Sequence, residues 1–219
     1  MSRPSEEPRG KLAACDPAFA TATPEFSFGQ RKTLLRMARE AIVSTLEERA
    51  VEEKEVANWL LEQRGVFTTL YLKRGPHNRA EHQLRGCVGY ALPVAPLARA
   101  VMETARAAAF DDSRFAPVTM EEALEMEISL SVLSPLRAIH PDEVKIGRHG
   151  LLISDGARRG LLLPQVPVEN GWDREKFLEQ TCRKASLPPD AWRNNNTKIE
   201  AFCAEVFGDS DFEPAVESA

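Results

Sequence analysis

The run Leu84-Arg85-Gly86-Cys87-Val88-Gly89 is the densest concentration of chemistry in the sequence, with a thiol between two glycines and a guanidinium just before them. Glycine inside a strand marks a bulge or a place where another backbone or a ligand comes close. A neighbouring arginine can raise the thiolate fraction of a cysteine and hold an anionic group bidentately. In a regular strand Arg85 and Cys87 share a face, so both would meet the same ligand. The plainer reading makes Cys87 a small buried filler and the glycines seats for a packed helix. Asp111, Asp112, Arg114 and Phe115 form a second cluster, which reads either as an arginine placed in a cleft beside carboxylates or as a loop with a local ion pair. In Leu161-Leu162-Leu163-Pro164-Gln165-Val166-Pro167 two prolines bracket one amide, so a rigid loop presents Gln165 or a strand simply ends stiffly. Cys87 is therefore the candidate catalytic group, and Arg85, Gly86, Arg114 and Gln165 are the candidate ligand-binding residues.

Other chemistries leave no trace. His77, His82, His140 and His149 form no pair at metal-ligand spacing and there is no Cys-x-x-Cys, so no metal is expected. No phosphate-binding Gly-Lys-Ser loop or dinucleotide glycine fingerprint occurs, and no cofactor can be named. Cys182 and Cys203 fall among apolar residues and read as inert fillers, while Cys15 lies near the N-terminus.

These residues need elements to hold them. Leu34, Leu35, Ala38, Ala41, Ile42 and Leu46 fall at helical spacing, and Glu55 to Gln63 suggests a second, shorter helix. Val66 to Leu72 and Leu84 to Tyr90 read as a hairpin with a long polar tip. Pro96 opens a helix with a small-residue face that stops before Asp111, and Thr119 with Glu122 forms a capping box. Met126 to Val132 alternates as a strand with one buried face. Val144 to Ile146, Leu151 to Ile153 and Leu161 to Leu163 suggest three antiparallel strands joined by tight turns. Asp173 caps a helix carrying Phe177, Leu178 and Cys182, and Ile199 to Phe207 reads as one closing strand. The result is α+β with a mostly antiparallel sheet and packed helices.

The 219 residues carry a formal net charge of −5, with 43% hydrophobic and 28% charged residues, an ordinary globular balance with length for a sizeable core. Residues 1–27 read as a flexible leader, 28–208 as the folded domain and 209–219 as an acidic tail. No apolar run is long enough to span a bilayer and no secretory pattern opens the chain, so a cytoplasmic protein is expected. The acidity and the want of a basic stripe argue against nucleic acid.

In this order the motifs resemble the AMMECR domain family, whose bacterial and archaeal members include protein A of the AmmeMemoRadiSam system. Leu84 to Gly89 is similar to the family's Leu-Arg-Gly-Cys-Ile-Gly signature, and Asp112-Ser113-Arg114-Phe115 to its Asp-Pro-Arg-Phe segment. His149-Gly150-Leu151, Gly160 to Val166, Gly171-Trp172-Asp173, Phe177-Leu178 and Cys182 to Ala185 continue the match over about Leu34 to Phe207. Ser186 stands where glycine is usual, Val88 replaces isoleucine, and the stretch from Lys73 to His82 is longer than the usual hairpin tip. The resemblance implies two lobes with the signature facing a cleft between them, and association with Memo-type and radical S-adenosylmethionine proteins. Two classes of function stay open: a protein that binds a small anionic or amide-bearing molecule in the cleft, as an enzyme or not, and a non-catalytic protein-interaction module.

Overall fold

The computed structural model describes residues 25–50, 57–73 and 82–212. In chain order the elements are α1 (Phe28–Leu46), β1 (Val66–Lys73), β2 (His82–Tyr90), α2 (Leu97–Phe110), α3 (Met120–Glu125), β3 (Glu127–Leu133), β4 (Arg137–Ala138), β5 (Gly150–Asp155), β6 (Arg158–Leu162), α4 (Gln165–Glu169), α5 (Arg174–Lys184), β7 (Lys198–Phe202) and β8 (Ala204–Gly208), with short 3-10 turns between some of them. The fold is α+β, and every strand pairing is antiparallel. Among the described residues no helix is long and apolar enough to cross a membrane.

The strands form two four-stranded sheets, ordered β2-β1-β3-β8 and β4-β7-β5-β6. One face of the first sheet carries Val66, Thr68 and Leu70 of β1 with Ile128, Leu130 and Val132 of β3, all buried under α1, α2 and α3 in the larger core. The small-residue face of α2 is what lets it lie close: Ala100, Ala105 and Ala108 are buried, and Thr104 hydrogen-bonds Thr68 at 2.8 Å across the interface. A Cβ on Gly86 would come within 2.0 Å of the Ala108 carbonyl oxygen, so this glycine is the seat of α2. The second sheet packs Leu151, Ile153, Ile199 and Ala201 against Phe177, Leu178 and Cys182 of α5.

The two sheets exchange strands at two links, Ser134-Pro135-Leu136 between β3 and β4, and Cys203 between β7 and β8. The links are tied to each other: the Ser134 N–H donates to the Cys203 carbonyl at 2.8 Å and the Cys203 N–H to the Ser134 hydroxyl at 3.0 Å. Leu133, Phe202 and Ala204, with Phe67, Leu161 and Leu163 against them, fill the junction.

Several expectations are corrected. Ile199 to Phe207 is two strands in different sheets, because Cys203 turns the chain from one to the other, and Cys203 is half-buried at a junction rather than a strand filler. Val144 to Ile146 is no strand: Pro141–Glu143 makes a 3-10 turn, Val144 plugs the second core, and Gly147 reverses the chain at φ 77°. Of the proposed helix from Glu55 to Gln63 the described part is a 3-10 turn over Asn58–Leu61, and residues 51–56 lie outside the described residues, as does the hairpin tip 74–81. Packing reaches past 28–208 at both ends. Phe26 is 5% exposed and tilts against Trp59 and Phe207. Its N–H and that of Glu25 donate to the buried Glu205 carboxylate, which Arg31 neutralises at 2.8 Å. Asp209 accepts from the Ile128 N–H and from Arg39.

Candidate functional site

The face of the first sheet turned away from α1, α2 and α3 carries Cys87, Thr69 and Ser129. Cys87 of β2 lies opposite Thr69 of β1, Thr69 lies opposite Ser129 of β3, and Ser129 lies opposite Gly208 of β8. A thiol and two hydroxyls thus stand side by side across three strands, and the Thr69 hydroxyl donates to the Cys87 sulfur at 3.4 Å. Cys87 and Ser129 are half-buried. One row away, Phe67 is packed into the junction with the second sheet, so the Cys87 row is the next one out from where the lobes meet.

The main chain of Cys87 is held from outside the sheet. β2 is an edge strand, and edge strands leave N–H and C=O groups unpaired. The Asp112 carboxylate accepts the Cys87 N–H at 2.9 Å, and the Arg114 guanidinium reaches the Cys87 carbonyl at 3.5 Å. Arg114 closes on Asp112 through Nε at 2.9 Å and Nη2 at 2.6 Å, while its guanidinium lies over the Phe115 ring at 5.3 Å. The Asp112 side chain is 7% exposed and that of Arg114 42%. The Arg114 hydrogen bonds, with those from the Cys87 and Arg114 N–H groups, hold the Asp112 pKa down to about 2 against the cost of burial.

Arg85 does not share the face of Cys87. Leu70 pairs with Gly86 and Tyr71 with Leu84, so the strand carries a bulge at Arg85, which has no residue opposite. An extra residue resets the alternation and bends the strand. Arg85 is instead 8% exposed on the helical side, its Nε and Nη2 paired with Glu122 of α3 at 2.8 and 2.9 Å, and Nη2 also meeting the Pro117 carbonyl at 3.2 Å. The Arg85 hydrogen bonds pull the Glu122 pKa below its usual value. Its Nε and Nη2 are committed to the fold, as the bare Cα of Gly86 is committed to the close approach of α2. Gln165 is also placed differently from the expected loop. It opens α4, just past β6 in the second lobe, with buried Pro164 before it, and its half-buried amide takes no part in holding Cys87. Of the five nominated residues, Cys87 and Arg114 are neighbours, Arg85 and Gly86 face the helices beneath them, and Gln165 comes from the other lobe.

Sequence reasoning missed Thr69 and Ser129. The signal was present for Ser129, because the alternation of β3 assigns Ser129 and Ser131 to the face opposite Ile128 and Leu130. Thr69 needed the register of β1 against β2. Among the described residues no three His, Cys, Asp or Glu side chains cluster to hold a metal ion. Cys182 is fully buried and burial pushes its thiol pKa up, as befits a filler.

Comparison with known proteins supplies a frame for these features. Residues 35–207 match the AMMECR1 family model. The chain is 46% identical over 182 residues to protein TK0174 of Thermococcus kodakarensis, covering 80% of this chain and 87% of that protein. It is 44% identical over 192 residues to protein MK0488 of Methanopyrus kandleri, covering 84% and 90%. The crystal structure of the uncharacterized protein PH0010 from Pyrococcus horikoshii superposes with a TM-score of 0.60 at 43% identity, covering 80% of this chain and 89% of that one. With the signature strand, the Asp112 to Phe115 loop and the two-sheet architecture all inside the matched span, the chain belongs to the AMMECR1 family.

Proposed function

We propose that the protein binds a small anionic or amide-bearing molecule on the open face of the first sheet, beside Cys87 and Arg114. One observation carries this reading: Cys87 has its main chain fixed by Asp112 and Arg114 and its sulfur engaged by Thr69, yet the residue stays half-exposed on the face turned away from α1, α2 and α3. A filler needs burial, as Cys182 has, whereas a working thiol needs position and access. Arg114 is the cation at this place. Its Nε and Nη2 close on Asp112, and the exposed remainder of the guanidinium faces solvent as a donor for a carboxylate, phosphate or carbonyl oxygen. The half-buried Ser129 hydroxyl supplies a further polar contact, the buried Thr69 hydroxyl orients the Cys87 sulfur, and Gln165 comes from the second lobe. Arg85 and Gly86 serve the same site by shaping the strand. Cys87 acts in this reading as the group that meets the ligand by contact, and the Memo-type and radical S-adenosylmethionine proteins implied by the resemblance are its companions in the cytoplasm.

Native mass spectrometry of freshly purified protein tests the reading by detecting a retained small molecule. Arg114→Glu is expected to release it and Cys87→Ser to weaken its retention. A retained molecule that survives both substitutions would end the proposal.

A further inference from the structure

On the far side of the first sheet, a groove of about 350 Å³ runs along α1 between the helix and the turn that follows β8. Gly29, Lys32, Thr33, Leu35, Arg36 and Arg39 line it from α1, and Asp209 and Phe212 close the other wall. Its three cations differ. Arg39 is committed, with Nη1 on the Ala123 carbonyl and Nη2 on the Met126 carbonyl and on Asp209 at 2.7 Å. Lys32 and Arg36 are exposed and make no ion pair among the described residues. The one carboxylate in the lining, Asp209, is taken up by Arg39 and the Ile128 N–H. At the N-terminal end the Phe212 ring is tilted by 57° against that of Phe28, with centroids 4.6 Å apart, and Phe28 is 65% exposed. A chain of net charge −5 thus has a concave strip with two unspent cations and, at one end, an exposed Phe28 against a half-buried Phe212.

Spacing identifies what fits. Lys32 and Arg36 are four residues apart on a helix, a rise of about 6 Å, and alternate residues of an extended peptide are separated by about 6.7 Å and point the same way. We propose that this groove docks an extended acidic segment of a partner protein, with carboxylates at alternate positions against Lys32 and Arg36 and an apolar side chain against Phe212. A nucleic acid is a poorer fit, because two free cations neutralise few phosphates. A bilayer is poorer still, since the surface is concave. The groove lies on the helical side of the sheet and Cys87 on the other, so docking here stands or falls independently of ligand binding there.

The test uses the full chain and a fluorescein-labelled peptide, Phe-Ser-Glu-Ser-Glu, followed by fluorescence anisotropy. Saturable binding that weakens with added salt is expected, with the glutamine version, Phe-Ser-Gln-Ser-Gln, at least about tenfold weaker, and the same loss for the acidic peptide on the Lys32→Glu, Arg36→Glu double variant. These side chains are exposed, so an unchanged thermal melt should accompany the loss, and Phe212→Ala should weaken binding separately. Equal affinity for both peptides, no binding to the native chain, or binding unaffected by the double variant would overturn the proposal. So would Lys32- and Arg36-dependent capture of single-stranded RNA or of phosphatidylserine vesicles instead of the peptide. Binding that emerges only after deletion of residues 213–219 would assign the groove to those residues, and a dimer abolished by the double variant would assign it to a second copy; either result also overturns it.

Discussion

Asp112→Asn separates the charge of the edge latch from its shape. Asparagine is nearly isosteric and keeps an oxygen for the Cys87 N–H, but it gives up the ion pair with Arg114, whose Nη2 sits 2.6 Å away. In the folded protein the carboxyl titrates at about 2, against about 3.9 in an unfolded chain, and a tenfold change in its acidity between the two states corresponds to about 1.4 kcal/mol. The raw product is about 2.6 kcal/mol, and screening at the half-exposed Arg114 reduces it to about 1.5 kcal/mol. A folded pKa below the unfolded one means that this stability is fully present above about pH 5 and disappears as pH falls toward 2. Urea unfolding of both proteins at pH 7 should show the variant less stable by about 1.5 kcal/mol, a loss of about 3 to 6 °C in Tm. Repeated at pH 2.5, the gap between the two should shrink to about a third, while every other carboxylate titrates alike in both. A gap under about 0.3 kcal/mol at pH 7 would refute the latch, since that is within the scatter of ordinary surface substitutions. A gap that stayed constant down to pH 2.5 would show that the loss came from packing rather than charge.

Three further outcomes are expected. Gly86→Ala places a methyl against the Ala108 carbonyl, where rigid backbone leaves no room, so α2 must lift and thermal unfolding should show a loss of about 3 kcal/mol or more. Ser186→Gly should stabilise by about 0.5 to 1 kcal/mol in the same assay, because Ser186 holds φ 58° at the end of α5 where glycine carries no steric penalty. Alkylation of the folded protein should label half-buried Cys87 and Cys203 well before fully buried Cys182, as read by peptide mass spectrometry; labelling of Cys87 as slow as that of Cys182 would reduce it to packing.

The helices α1, α2, α3 and α5 were legible in the sequence because their causes are local, whereas α4 reads as a rigid loop and Glu55 to Gln63 as a longer helix than the 3-10 turn over Asn58–Leu61. Thr119 and Glu122 form their reciprocal cap, Asp173 receives the Lys176 N–H, and α2 ends before Asp111. Ser186 was legible as a problem, and the chain solves it by accepting the left-handed angle and completing the usual pair of closing bonds, Leu187 N–H to Cys182 and Ser186 N–H to Arg183. Non-local features were not legible. Nothing between Ile199 and Phe207 announces a change of sheet, since both strands are apolar and the switch is set by bonds to Ser134, 69 residues away. The side of the sheet to which Arg85 turns depended on a bulge that only the register against β1 defines. Counting by two gave the wrong face for that reason.

The bulge also explains why the signature and the Asp112 to Phe115 loop belong together. With Arg85 turned under the sheet onto Glu122, the positive group left near Cys87 must come from another part of the chain, and α2 delivers it. α2 is seated on Gly86 by its Ala108 carbonyl and ends two residues later at Phe110, so its last turn fixes where Asp112 and Arg114 emerge. They emerge beside the open edge of β2, one residue beyond that seat, and cover the N–H and C=O of Cys87 there. Gly86 therefore sets the helix, the helix sets the loop, and the loop sets the cysteine. A side chain at Gly86 would disturb Cys87 without touching it, whereas a change at Ser129, two strands away on the open face, would alter what Cys87 faces while leaving its backbone in place.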